Sequence, residues 1–343
     1  IHGTDWHSFM ATINEVSELA NVSISTVSRV INDNVPVKES TRKRVYSAME
    51  ELGYQPNLFA QGLVTNRSRS ITLVLTDLTG SYFGPLVKGI ENTLRAAKYN
   101  LSVSVGNEGL SEVQSTFRYL IGWRSDAVIL FPHCLTDEQI LGLKETAPPM
   151  VVLNRQLPEL SNQSILVDNE QGSRLAIQHL LDNGHKQIAC IAGPLGNGEA
   201  LSRLEGYKAA LTENAIAHQD NQVVVSDFTV EGGYEAIGQL LEQGTEFSAI
   251  YACNDQMAAG AMKALKDAGK RIPEDVSVIG FDDVEFAGLI TPSLTTIRQP
   301  IAQMAEDAAK LAIRLIEGKT NLPEQSLYAP ELIERESVAP FKG

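Results

Sequence analysis

The sequence predicts a small all-α head, a short linker, and a large α/β body made of two doubly wound parallel-sheet lobes. Three observations carry that prediction. Apolar residues follow a helical period through residues 12–54. Gly53 and Pro56 then interrupt that period. From Ser70 onward, short β-branched runs alternate with amphipathic helical stretches, the pattern of parallel strands joined by helical crossovers.

Composition narrows the class. A chain of 343 residues suits two or three domains, and 43% hydrophobic with 20% charged residues is ordinary for a soluble globular protein. No apolar run approaches the ~18 residues of a membrane helix. Residues 1–9 lack the basic start and apolar core of a signal peptide. Cys134, Cys190 and Cys253 are far apart and odd in number, which points to buried thiols in a reducing cytoplasm and to no metal knuckle. Disulfide-stapled, collagen-like, disordered and membrane classes are excluded.

The formal charge of −14 is unevenly spread. Residues 10–69 hold seven basic residues (Arg29, Lys38, Arg42, Lys43, Arg44, Arg67, Arg69) against six acidic ones (Glu15, Glu18, Asp33, Glu39, Glu50, Glu51). The rest carries 21 basic against 36 acidic. An acidic body repels nucleic acid and anionic membrane, so any affinity for DNA belongs to the head.

The head reads as three helices. Thr12 and Glu15 form a capping box, and Ile13, Val16, Leu19 and Ala20 make an inward stripe. Asn21-Val22 is a turn, because Asn tolerates the left-handed conformation. Ser23 caps a second helix. There Val27, Val30 and Ile31 point inward, while Ser25, Arg29 and Asn32 share the opposite face. A third helix over about Thr41–Leu52 buries Val45, Ala48, Met49 and Leu52. Two helices across a tight turn, the second with a polar outer face, is a helix-turn-helix. Its hydroxyls and Asn can bond phosphates or base edges, and Arg29 can reach a guanine with two bonds. Arg42, Lys43 and Arg44 can meet phosphates. A generic three-helix domain with a solvated polar face is the alternative.

The linker is short. Pro56 and Asn57 can start a helix, but the seven or so residues that follow, interrupted by Gly62, cannot hold one alone in water.

In the body, strands are expected over 70–76, 101–105, 127–131, 150–153, 187–192, 223–225, 248–253 and 276–281. Helices are expected near 84–98, 111–122, 136–145, 171–183, 200–213, 232–243, 256–268 and 301–317. The pattern runs through two similar halves, hence two lobes, and ligands in such sheets bind at the carboxyl ends of the strands. No catalytic motif is present: no P-loop, no Gly-x-Ser-x-Gly, no HExxH, no paired CxxC. No cofactor is expected. Gly196-Asn197-Gly198 lacks the third glycine of a dinucleotide fingerprint and reads as a loop. Polar residues recur at strand ends instead: Asp77, Asn154-Arg155, Asn254-Asp255 and Asp282-Asp283. Each alone is an ordinary helix cap; together they can surround one polar ligand. Tyr82, Phe83 and Phe228 can cover the apolar face of a sugar ring.

The segment ATINEVSELANVSISTVSRVINDN closely resembles the head of the LacI/GalR family of bacterial transcription regulators. Thr26-Val27-Ser28-Arg29-Val30 matches its signature without substitution, and Asn21 stands where the family usually has Gly. SRLEGYKAAL, YACNDQMAAGAMKAL and VSVIGFDDVEFAGLITPSLTTIRQP resemble the family's effector domain, so the resemblance spans 10–340. That domain is similar to periplasmic sugar-binding proteins. The wording around 150–160 resembles galactose- and β-glucoside-responsive members.

The resemblance implies Met10 as initiator, a disordered extension over 1–9, a helix-turn-helix domain over 10–55 and a hinge helix with linker over 56–69. It implies an effector-binding and dimerisation domain over 70–340. Three crossings between lobes would give one lobe of about 70–166 plus 299–326, and another of about 167–298 plus 327–340. DNA contacts would come from Thr12, Ser23, Ile24, Ser25, Thr26, Ser28, Arg29 and Asn32 in the head. Asn57, Ala60 and Leu63 would supply them in the hinge, Leu63 as a minor-groove wedge. Ile24 and Ser25 open the recognition helix, where the family sets operator preference. Effector contacts would come from Arg203, Asp282, Asn154, Asn254 and Phe228, with Tyr82 and Phe83 lining the cleft. Asp255 and Asp283 read as capping and structural residues. The expectation is a cytoplasmic homodimeric repressor of carbohydrate genes, not an enzyme, that binds palindromic operator DNA under control of a small sugar. A transport-type sugar-binding protein is the rival; no signal peptide and a helix-turn-helix ahead of the lobes weigh against it.

Overall fold

The computed structural model describes residues 11–32, 35–55, 67–75, 78, 80–105, 125–132, 135–144, 147–319 and 326–342. Asn57, Ala60, Leu63, Asp77, Cys134, the extension at 1–9, Met10 and the helix expected over 111–122 lie outside them, as does the Asn32 side chain. The chain divides into two compact units, Ile1–Arg69 and Ser70–Gly343.

The head holds α1 (Ile13–Leu19), α2 (Ile24–Asn32) and α3 (Glu39–Leu52). The expected capping box is present. The Glu15 amide donates to Thr12 Oγ1 at 3.4 Å, and the Glu15 carboxylate accepts from the Thr12 amide at 2.6 Å. Hydrogen bonds from the Thr12 amide and hydroxyl hold the Glu15 carboxyl below its ordinary range. Asn21 adopts φ 50°, and the Val22 amide closes the turn on the Ser17 carbonyl at 3.0 Å. α3 starts two residues before Thr41 and ends at Gly53, whose φ of 61° suits a residue without Cβ. Val16, Ala20, Val27, Val30, Val45 and Ala48 form the core, edged by the half-buried Met49 and Leu52. Leu19 departs from expectation: it is 46% exposed, and Ser17 is buried instead. On a helix, Ile13, Val16, Ser17 and Ala20 cluster on one face, and Leu19 lies well round from it.

The body contains two six-stranded sheets. The first takes β1 (Ser70–Leu75), β2 (Asn100–Val105), β3 (Ala127–Leu130), β4 (Met150–Leu153), β5 (Ser164–Val167) and β11 (Ser326–Tyr328), in the order β11-β5-β4-β3-β1-β2. The second takes β6 (Ile188–Ala192), β7 (Val223–Val225), β8 (Ala249–Ala252), β9 (Ser277–Asp282), β10 (Thr295–Arg298) and β12 (Glu331–Ile333), in the order β12-β10-β9-β8-β6-β7. All pairs are parallel except β10 with β12. β3, β4, β6, β8 and β9 are buried at every residue, as continuous apolar runs covered on both faces must be.

Seven helices are used below or frame the lobes: α4 (Phe83–Ala96), α5 (Asp137–Lys144), α6 (Asn169–Asp182), α7 (Gly198–Glu213), α8 (Val230–Glu242), α9 (Asp255–Asp267) and α10 (Ile301–Ile316). α10 packs on α4 and the first sheet, whereas α6 packs on α7 and the second. The chain therefore passes between lobes after β5, after β10 and after β11. β5 and β11 carry the first sheet one and two residues past the crossing points expected at 166 and 326. Four strands escaped the sequence reading: β5, β10, β11 and β12. Each has only three or four residues, and β10 and β12 mix apolar with charged or hydroxyl side chains. Among the described residues, no helix is long and apolar enough to cross a membrane.

Candidate functional site

In the head, α2 presents Ile24, Ser25 and Arg29 to solvent, with Thr26 and Ser28 half-buried. Ser23 accepts the Thr26 amide at 3.3 Å, and its hydroxyl lies 2.8 Å from that of Ser25 and 2.9 Å from that of Thr26. Ile24 is 49% exposed although the core lies beneath the same helix. An exposed isoleucine beside hydroxyls and a guanidinium matches what base edges offer: thymine methyls, acceptors and a guanine pair. The Thr12 hydroxyl is engaged in the capping box.

In the body, polar side chains gather where the strands of both sheets end. Arg203, on α7, is buried at their centre, with its guanidinium carbon 3.9 Å from the centre of the Phe281 ring. Its Nε donates to Asn169 Oδ1 at 2.8 Å and its Nη1 to the Cys253 carbonyl at 2.6 Å. Nη1 also lies 3.3 Å from Asp282 Oδ1, and Nη2 lies 3.7 Å from the Glu199 carboxylate. Asp282, the last residue of β9, accepts from Gln299 Nε2 at 2.6 Å. The Tyr82 hydroxyl donates to Gln299 Oε1 at 3.4 Å and accepts from Asn154 Nδ2 at 3.4 Å. One chain of contacts thus runs from Asn154 and Tyr82 in the first lobe, through Gln299 at a crossing, to Asp282 and Arg203 in the second. Beside it, a shallow open-sided crevice is lined by Pro132, Leu153, Asn154 and Arg155 from the first lobe and Asn197, Gly198 and Glu199 from the second.

Burial sets the electrostatics. It pushes the Asp282 carboxyl up to about 6, against the pull of Arg203 and the Gln299 hydrogen bond. It raises Glu199 too, again opposed by Arg203. Burial lifts the Tyr82 phenol well above its ordinary value, helped by Glu199 and Asp282, so this hydroxyl stays a neutral donor.

The remaining predicted residues divide by role. Asn254 caps α9 by accepting the Met257 amide at 2.9 Å, and its Nδ2 donates to the Phe228 carbonyl at 2.9 Å. It therefore fixes Phe228, whose φ is 68° and whose ring covers Gly193 so closely that a Cβ there would lie 2.2 Å away. Phe83 belongs to the first lobe's core, edge-on to Tyr82 at 5.4 Å and to Phe131 at 5.7 Å. Asp255 accepts from the Val284 amide and from Thr296 Oγ1, and Asp283 binds Arg298 and Arg335. Both are structural. Asn154, Phe228, Asp282 and Asp283 all have positive φ, a concentration of unusual backbone at one rim that is typical of binding sites. Cys190 and Cys253 are buried free thiols. Among the described residues, no cluster of His, Cys, Asp or Glu could hold a metal.

Sequence reasoning missed Glu199, Gln299 and Asn169. Glu199 stands four residues before Arg203 on one helix face, and Gln299 lies inside the VSVIGFDDVEFAGLITPSLTTIRQP run. Those adjacencies were the available signals.

Comparison with known proteins agrees with this geometry. Residues 12–57 match the model for bacterial regulatory proteins of the lacI family, and residues 177–338 match a periplasmic binding protein-like domain. The chain is 38% identical over 331 residues to the transcriptional regulator GalR of Escherichia coli K12, covering 96% of each. It is 35% identical over 337 residues to the regulator AscG of the same organism, covering 97% of this chain and all of that one. A lac repressor dimer bound to operator and an anti-inducer superposes with a TM-score of 0.88 at 31% identity, over 96% of this chain and 99% of that one. A CelR–cellobiose complex superposes at 0.73 and 32%, over 95% and 99%. With its helix-turn-helix head and two-lobed body both matched, and full-length relatives this similar, the chain belongs to the LacI family of bacterial transcription regulators.

Proposed function

We propose that this protein represses carbohydrate-utilisation genes and that a small sugar in the cleft between its lobes controls its grip on operator DNA. The observation that carries the reading is the polar network joining Asn154 and Tyr82 of one lobe to Asp282 and Arg203 of the other. A ligand that replaces those contacts must alter how the lobes meet. It shifts operator affinity only by binding one lobe arrangement more tightly than the other.

Ile24, Ser25, Ser28 and Arg29 read the major groove, with Thr12, Ser23, Thr26 and Asn32 at its edge. Asn57, Ala60 and Leu63, from 56–69, engage the operator centre. Two copies act together, because a palindromic site mirrors a two-fold dimer. The lac repressor neighbour is a dimer on its operator, which supports that arrangement. Tyr82, Asn154, Arg203, Phe228 and Asp282 form the effector site, with Asn254 and Phe83 setting the aromatic groups. The reading includes a cytoplasmic location and no enzymatic turnover.

Fluorescence anisotropy on a palindromic duplex with a central CG step, repeated with a panel of sugars, tests this. The expected result is tight, salt-sensitive binding that one sugar weakens about 5–150-fold. Sugar binding with no DNA affinity for any palindrome would favour the transport-type alternative.

A further inference from the structure

We infer that the cleft accepts an uncharged, hydroxyl-rich sugar and rejects its phosphorylated and carboxylated forms, with Glu199 as the residue that enforces the difference. The inference rests on the effector-cleft reading above and adds to it the charge class of the ligand.

The charges at the site do not favour an anion. Two buried carboxylates, Glu199 and Asp282, flank one buried guanidinium, Arg203. That guanidinium is already committed: to Asn169 and the Cys253 carbonyl by hydrogen bonds, and to both carboxylates by ion pairing. A phosphate would have to break these bonds and then face two like charges at low dielectric. The other cation on the crevice wall, Arg155, donates from Nε to Asp137 at 2.7 Å.

The two helix ends nearest Arg203 are already filled. Asn197 caps α7 by accepting the Glu199 and Ala200 amides at 2.8 and 3.3 Å, and Asn254 caps α9 by accepting the Met257 amide. At both sites a side-chain oxygen occupies the amides that would otherwise bind phosphate. What the crevice and the network beside it do offer is acceptors. Carboxylates of Glu199 and Asp282 take hydrogen bonds from sugar hydroxyls, and a sugar that displaces the long 3.4 Å Asn154–Tyr82 and Tyr82–Gln299 bonds finds neutral donors there. That set complements a polyol.

Calorimetry on the full chain tests the idea with galactose, glucose, ribose and cellobiose against galactose 6-phosphate, glucose 6-phosphate, ribose 5-phosphate and galacturonate. The expected result is that a neutral sugar binds and its anionic counterpart is at least about 100-fold weaker. Glu199→Gln should bind the neutral sugar about tenfold more weakly and shrink the gap between the two forms. Glu199→Asp, which keeps the charge, should preserve the gap, and provides a second reading if the amide variant folds poorly. An anionic form that binds as tightly as its parent overturns the charge rule and leaves the sugar reading standing. A gap unchanged in Glu199→Gln removes Glu199 from the role. Failure of every saccharide, neutral and anionic alike, overturns the sugar reading itself and this inference with it.

Discussion

Asp282 is a buried acid whose carboxyl is lifted to about 6 from an ordinary 3.8, first by burial and only partly relieved by Arg203. A raised folded-state value means that the folded body holds this proton more tightly than the unfolded chain does. The resulting contribution to stability is full below about pH 4 and is lost as pH rises through 6. Its size is on the order of 2–3 kcal/mol. Urea unfolding of the wild type and of Asp282→Asn at pH 4.5 and 7 isolates it: the variant should lack this part of the pH slope. An identical slope in both would remove Asp282 as its source. Arg203 and Asp282 were legible through family resemblance, because each sits inside a run that carries it. Glu199 was not, and Gln299 was passed over although it shares Asp282's run. A lone Glu in an amphipathic helix and a Gln after a strand look like surface residues until the fold brings Asn154, Glu199, Arg203, Asp282 and Gln299 together.

Helices announced themselves better than strands did. The capping box at Thr12, the Asn21 turn and the periodic stripes of α2 and α3 are local signals, and the head follows them apart from Leu19. β5 and β10 are as long as β4, and β11 and β12 as long as β7, but each carries a hydroxyl or charged residue, and pairing makes them strands. The recognition element invites its own test. Arg29 is exposed and outside the head's core. Arg29→Ala should weaken specific operator binding by about 1–3 kcal/mol and leave the melting temperature and sugar affinity unchanged. Anisotropy beside a thermal melt separates the two effects; a lower melting point would mark Arg29 as structural instead.

For the whole molecule, the question is how a change between lobes reaches DNA. If Leu63 is the wedge at the operator centre, Leu63→Ala should lower operator affinity while the DNA-free protein binds sugar as before. Anisotropy and calorimetry on the same preparation check this. Unchanged operator affinity would reduce residues 56–69 to a tether. The two-lobed plan was readable from the alternation of strands and helices, but the crossings were not. They came from family resemblance, because nothing in local composition says that β11 and β12, two residues apart, join different sheets.

That braided connectivity also constrains synthesis. Neither sheet is a continuous stretch of chain: β11 completes one edge and β12 the other, and α10 of the first lobe follows β10 of the second. A nascent chain leaving the ribosome at about 5–20 residues per second therefore carries two unfinished lobes until β11 and β12 emerge. A truncation before Ser326 would strip a strand from both sheets at once. Nonsense mutations just ahead of the Ser326 codon should accordingly be as damaging to the body as mutations in its centre, and holding factors that shield exposed sheet edges should matter until β11 and β12 have been made.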